Sequence, residues 1–131
     1  MEEEPIKPMQ EVIADDGRYP PEAFAFLHDG LNRAVQEIYR DQAGSEGQHH
    51  VSGQQLCYAL RDLAIERWGM MALAVLSKWN VRGTIDFGNM VYLLIEHRYM
   101  RKTDEDSIEH FRNVYDFDKA FGSYEAFELK E

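Results

Sequence analysis

The residues best suited to chemistry are His49, His50 and Cys57, then Arg61 and Asp86. Imidazole and thiolate are good zinc ligands, and two adjacent histidines ahead of a cysteine invite that reading. The spacing argues against it. No Cys-x-x-Cys or His-x-x-x-His pair is present, and Cys57 falls on the apolar stripe of a helix, where a cysteine acts as a small hydrophobe. The same placement weakens Cys57 as a nucleophile with His50 as its base. Reactive thiolates sit partly exposed in electropositive surroundings, with nucleophile and base within hydrogen-bond reach.

Arg61 and Asp86 form the more informative pair. Arg61 lines up with Cys57, Ala64 and Trp68 along the flank of an apolar face, so its guanidinium is expected to be part-buried and to need an acceptor. Asp86, Asp62 and Asp106 are the supply, and the plainer role is an ion pair locking two helices together. Asp86-Phe87-Gly88 matches the metal-binding tripeptide of protein kinases. The chain has no glycine-rich loop and no His-Arg-Asp segment, so the acid reads instead as a first-turn helix residue. The sequence therefore predicts no catalytic residue, no metal and no cofactor, and leaves His50, Arg61 and Asp86 as ligand-binding candidates.

The elements that carry these residues follow from apolar side chains recurring every three or four positions. After Asp15-Asp16-Gly17, a turn, Tyr19-Pro20-Pro21 leads into a helix over about 21–41, with its stripe at Phe24, Leu27, Leu31, Ala34, Val35 and Ile38. Residues 42–50 lack periodicity and read as a loop. Ser52 and Gln55 then form a capping box, flanked by Val51 and Leu56 in staple positions. That helix is expected to bury Leu56, Cys57, Leu60, Leu63 and Ala64 and to stop near Trp68-Gly69. A shorter helix spans Met70 to Trp79. After a turn at Asn80-Val81-Arg82-Gly83, Thr84 is the expected N-cap of a helix reaching about His97, burying Phe87, Met90, Val91, Leu94 and Ile95.

Tyr99–Thr103 reads as a short strand or extended segment. A last helix is expected from Asp106 or Ser107 to Tyr115, burying Ile108, Phe111 and Val114. An aromatic tail (Tyr115, Phe117, Phe121, Tyr124, Phe127) should lie back across the bundle. The fold class is mainly α: a compact bundle of about five helices within 19–131, preceded by an acidic lead-in over 1–18 with at most a helical turn near Met9–Ala14. The element order also resembles a winged helix-turn-helix outline, with Thr84–His97 in the recognition position.

Charge limits the partners. The chain has 131 residues and a net charge of -10, and the excess sits on its flanks. Residues 1–20 hold six acids against Lys7 and Arg18, and 103–131 hold nine against Arg112, Lys119 and Lys130. Such a balance repels nucleic acid and anionic lipid. The only basic run, Arg98 with Arg101 and Lys102, would fall in the wing, while the helix over 84–97 offers no arginine or lysine to a DNA groove. One cysteine excludes an intrachain disulfide and suits a reducing compartment. With neither a secretory signal pattern nor an apolar run of membrane-spanning length, a cytoplasmic protein is expected.

Several segments are similar to those of a small bacterial group of uncharacterised proteins, the Minf-type family. They are Glu22-Ala23-Phe24 with Phe26 and Gly30-Leu31, the run His50-Val51-Ser52-Gly53-Gln54-Gln55-Leu56-Cys57, Leu60-Arg61, and Val75-Leu76 with Trp79. Thr84-Ile85-Asp86-Phe87-Gly88, Asp106, Phe111 and Tyr115-Asp116-Phe117 complete the set. One departure is Asn80, where a glycine is expected after the tryptophan. The resemblance implies no activity. With the residues that enzymes and nucleic-acid binders require missing, the expected role is an interaction or scaffold domain for another protein or a second copy. The alternative is a small-molecule-binding or enzymatic domain in which His50, Arg61 and Asp86 converge on one pocket.

Overall fold

The first helix ends where its sequence demands a reversal. In the computed structural model, which describes residues 7–39 and 50–122, α1 (Met9–Asp16) terminates at Gly17, whose φ of 78° lets its N–H close onto the Ile13 carbonyl. Val12 and Ile13 are buried. α1 thus forms a two-turn helix inside the segment that the sequence reads as a lead-in, because two branched apolar residues give it something to pack. Tyr19-Pro20 then starts α2 (Pro21–Tyr39), which buries Ala23, Phe24, Phe26, Leu27, Gly30 and Ala34.

α3 (Gly53–Trp68) is capped as its sequence requires: Ser52 Oγ accepts from the Gln55 N–H at 3.1 Å and the Gln55 side chain accepts from the Ser52 N–H at 2.9 Å. Leu56, Cys57, Leu60 and Ala64 are buried, and Leu63 is half-buried against them. α2 and α3 lie against each other where Gly30 faces Leu60; a Cβ at Gly30 would stand 2.2 Å from Leu60 Cδ2. The missing side chain sets how closely the two helices approach.

A short 3-10 turn, Gly69–Met71, joins α3 to α4 (Ala72–Lys78). The expected start at Met70 is thus delayed: Met70 and Met71 stay in the turn, 63% and 59% exposed, and the buried face begins with Ala72 and Leu76. Ala74, two residues on, is exposed. Asn80 adopts a φ of 67°, the left-handed conformation a glycine would take, which asparagine tolerates better than most residues.

α5 (Thr84–Glu96) turns a broad apolar face inward, with Phe87, Met90, Val91, Leu93 and Leu94 buried and Ile95 half-buried. Its N-cap is Gly83, not Thr84. Thr84 is the first helical residue and is 2% exposed; its hydroxyl donates to the Phe111 carbonyl at 2.6 Å and accepts from the Val114 N–H at 3.1 Å. Gly88 allows the same segment to close in: a Cβ there would lie 2.7 Å from the Phe111 Cβ.

The helix expected over 106–115 does not form. Ser107 accepts from the Glu109 N–H, one 3-10 turn spans Ile108–Phe111, and Asn113 turns the chain with a φ of 52°. Phe111 is buried, whereas Ile108 and Val114 are only half-buried. Asp116 then caps the single-turn α6 (Phe117–Phe121) by accepting from the Asp118 and Lys119 N–H groups. Phe117 and Phe121 are buried, with ring centroids 5.1 Å apart, and Phe117 stands 5.9 Å from Phe87. Tyr115 donates to the Cys57 carbonyl at 2.7 Å. The aromatic tail thus lies across α3 and α5 as expected; Tyr124 and Phe127 fall outside the described residues.

The architecture is mainly helical, and the described residues contain no strand. Tyr99 and Met100 finish the turn after α5, their N–H groups pointing to the Leu94 carbonyl at 2.7 and 3.3 Å. The expected wing has no β structure. Among the described residues no helix is long and apolar enough to cross a membrane.

Candidate functional site

The three candidate side chains are held in different places. Asp86 serves its own helix terminus: its Oδ2 accepts from the Arg82 and Gly83 N–H groups at 2.8 and 3.1 Å, a carboxylate where the helix dipole favours one. Its Oδ1 accepts from the Tyr19 hydroxyl, and Asn89 donates to that hydroxyl at 3.0 Å. Burial, followed by the bond to Asp86, pushes the Tyr19 phenol up to about 12. Asp86 therefore ties the segment before α2 to the start of α5. Tyr19 was legible only as the residue before two prolines, since a hydroxyl 67 residues away in sequence gives no local signal.

Arg61 does not reach Asp86. It bonds Asp62, the next residue, at 2.9 Å, and its guanidinium lies 4.9 Å from the Tyr58 ring centroid. About a third of its side chain is exposed, so it is part-buried as expected, but its acceptor lies on its own helix, which corrects the expectation of an ion pair between helices. Arg61 is a surface residue of one helix, lining a shallow depression with Tyr115 and Lys119. His50 faces a different carboxylate: its Nε2 stands 3.1 Å from Asp106 Oδ1, while Asp106 Oδ2 accepts from the Thr103 N–H at 2.8 Å. Asp106 had been a candidate acceptor for Arg61 and instead meets the histidine.

Cys57 is fully buried, and burial pushes its thiol up to about 12. The same burial that raises the thiol makes it a core residue rather than an exposed, activated thiolate. His49 lies outside the described residues, and among those described no three metal-ligating side chains stand together. α5, the expected recognition helix, is turned into the bundle along most of its length. Only Glu96 along it is exposed, every other residue being buried or half-buried. A recognition helix must present one whole face to DNA.

A more apolar concavity lies elsewhere. Met9, Ile13, Phe24, Ala25, His28 and Tyr99 line a groove of about 630 Å³ between α1, α2 and the end of α5. Ala25 and His28 are exposed along its α2 wall. Sequence periodicity could not find it, because the residues that line it carry the same spacing as the core. Neither a family model, a curated protein nor a solved structure matches the chain.

Proposed function

We propose that this is a non-enzymatic interaction domain that receives an amphipathic helix of another protein in the α1–α2 groove. The observation carrying this reading is the groove itself: a solvent-open channel of about 630 Å³ walled by methionine, aliphatic and aromatic side chains. Helix-in-groove recognition needs such a channel, and methionines at its edge, here Met9 and Met100, adapt to the bound surface. Polar placement supports the same reading, since His50, Arg61 and Asp86 do not share a pocket.

Shape and charge select the occupant. A concave wall is filled by a convex partner, so two copies meeting groove to groove would leave the channel empty, and each copy carries a net charge of -10. Exposed Glu11 and Glu22 flank α1 and the start of α2, whereas exposed Arg101 and Lys102 follow Met100. The complementary helix carries leucine-type residues on one face, with basic residues near one end and acidic residues near the other.

The test is fluorescence anisotropy of a synthetic peptide of that pattern with the full chain, alongside its scrambled isomer. The patterned peptide should bind and the scrambled one should not. Ala25→Trp, which fills the groove from an exposed helix position, should abolish binding while leaving the circular dichroism spectrum unchanged. Equal binding of both peptides, or binding indifferent to Ala25→Trp, would refute the groove. Sedimentation showing a dimer that Ala25→Trp dissociates would assign the groove to a second copy instead.

A further inference from the structure

The two helical walls of the groove are fastened unequally. α2 buries six residues and is tied to α3 by Arg33 with Glu66 at 2.6 Å and Arg67 with Asp29 at 2.9 Å. α1 buries only Val12 and Ile13, with Met9 half-buried against the core. Its acids Asp15 and Asp16 pair with Lys7 and Arg18, so both bonds begin and end within residues 7–18. Among the described residues no side-chain hydrogen bond or ion pair joins α1 to another helix. Nor can α1 hold itself. It is eight residues long, its N-cap Pro8 offers no side-chain acceptor, and its last turn ends in Asp15 and Asp16 at the negative end of the helix dipole. A helix of two turns is not stable in water without a surface to support it.

The ends of α1 differ as well. Just past Gly17 the chain is pinned, because Asn80 donates to the Arg18 carbonyl at 3.3 Å and Tyr19 donates to Asp86. Gly17 itself is exposed, with a φ of 78° and only the Ala14 carbonyl within 4 Å of where a Cβ would stand, so the backbone has room to pivot. At the leading end, the Tyr99 hydroxyl donates to the Lys7 carbonyl at 2.7 Å, and Tyr99 also lines the groove. From these features we infer that α1 is a hinged wall of the groove. It leaves the bundle as a unit about Gly17, with the Tyr99–Lys7 bond as its latch, and closes again on the helix that enters. The gating rests on the groove reading above; the hinge does not. Met9, Gln10 and Ile13 are what α1 gives the groove, so its opening widens the mouth and its return lays those side chains on the bound helix.

Amide hydrogen exchange in the full chain tests both parts. In the free protein the α1 amides from Val12 to Gly17 should exchange together, about a hundredfold or more faster than the buried stretches of α2 and α5. Tyr99→Phe, which keeps the ring and removes the latch, should speed α1 about fivefold, the worth of one net hydrogen bond. Val12→Ala should speed it about tenfold through the two lost methyl groups. Neither change should alter exchange in α5. Saturating the chain with the patterned peptide should slow α1. The inference is overturned if α1 exchanges as slowly as α2 and α5, or if Val12→Ala speeds all the helices alike, since α1 would then belong to the cooperative core. It is overturned equally if Tyr99→Phe leaves α1 unchanged, or if bound peptide leaves α1 exchanging as in the free chain. A peptide that does not bind at all sinks the groove reading instead, while fast exchange of α1, measured without peptide, still supports the hinge.

Discussion

Replacing Gly30 by alanine sets two known effects against each other. Gly30 lies inside α2, where alanine improves helix propensity by about 1 kcal/mol. Propensity alone thus predicts a gain. The new Cβ, however, would stand 2.2 Å from Leu60 Cδ2 and 2.8 Å from Leu60 Cγ. Leu60 has no exposed surface, so its side chain cannot swing into solvent to make room. Overpacking of a closed core costs about 1–3 kcal/mol and occasionally more; a contact of 2.2 Å puts this one in the upper half of that range, so the collision outweighs the propensity and the net loss should be about 1–2 kcal/mol. For a domain of this size that lowers the melting temperature by about 3–8 °C. Urea denaturation followed by circular dichroism reads the difference directly. The mechanism is isolated by repeating the substitution on Leu60→Ala. That change alone should cost about 2–5 kcal/mol, and with the leucine gone Gly30→Ala should turn neutral or stabilising. If Gly30→Ala stabilises the parent chain, or costs the same with and without Leu60, the close approach of α2 and α3 is not what the glycine is for.

Thr84→Val removes a buried hydroxyl that serves both the Phe111 carbonyl and the Val114 N–H, and should cost about 2–3 kcal/mol in urea melts, while Thr84→Ser should lose less than half of that. Arg61→Ala should change stability by under about 1 kcal/mol, since the arginine is part-exposed and its ion pair with Asp62 lies within one helix; a larger loss by thermal melting would mean that Arg61 joins two helices after all. Alkaline stability provides a fourth check. Tyr19 is raised from 10.0 to about 12 and Cys57 from 9.0 to about 12, so between those values the folded chain holds protons that the unfolded chain has released. Stability contributed by these groups is full below about pH 9 and is lost as pH climbs toward 12. Tyr19→Phe should make the decline between pH 10 and about 12 shallower, and an unchanged slope would mean that the phenol is not held by burial and Asp86.

Sequence legibility followed the range of the interaction. Helices α2, α3 and α5 were readable because each declares itself within a few residues: an apolar stripe at steps of three and four, and for α3 a capping box closed between Ser52 and Gln55. The stretch after Ser107 was misread for the complementary reason. Ile108, Phe111 and Val114 have helical spacing, yet the Thr84 hydroxyl binds the backbone at Phe111 and Val114 and Asn113 takes a left-handed turn, so tertiary hydrogen bonds override the local period. Thr84 looked like a cap because threonine often caps; its partners lie 27 and 30 residues ahead and leave no mark on the local pattern.

For the candidate sites, the sequence by itself determined the supply of groups: a lone thiol on an apolar stripe, a few histidines, an arginine on the flank of that stripe and a surplus of acids. Only the tertiary structure decided who meets whom. Asp86 went to Tyr19 and its own helix terminus, Arg61 to Asp62, and His50 to Asp106. Periodicity tells which face of a helix turns inward but not the angle at which two helices cross, and it is that angle, fixed by contacts such as Gly30 against Leu60, that brings polar side chains on separate helices together or keeps them apart.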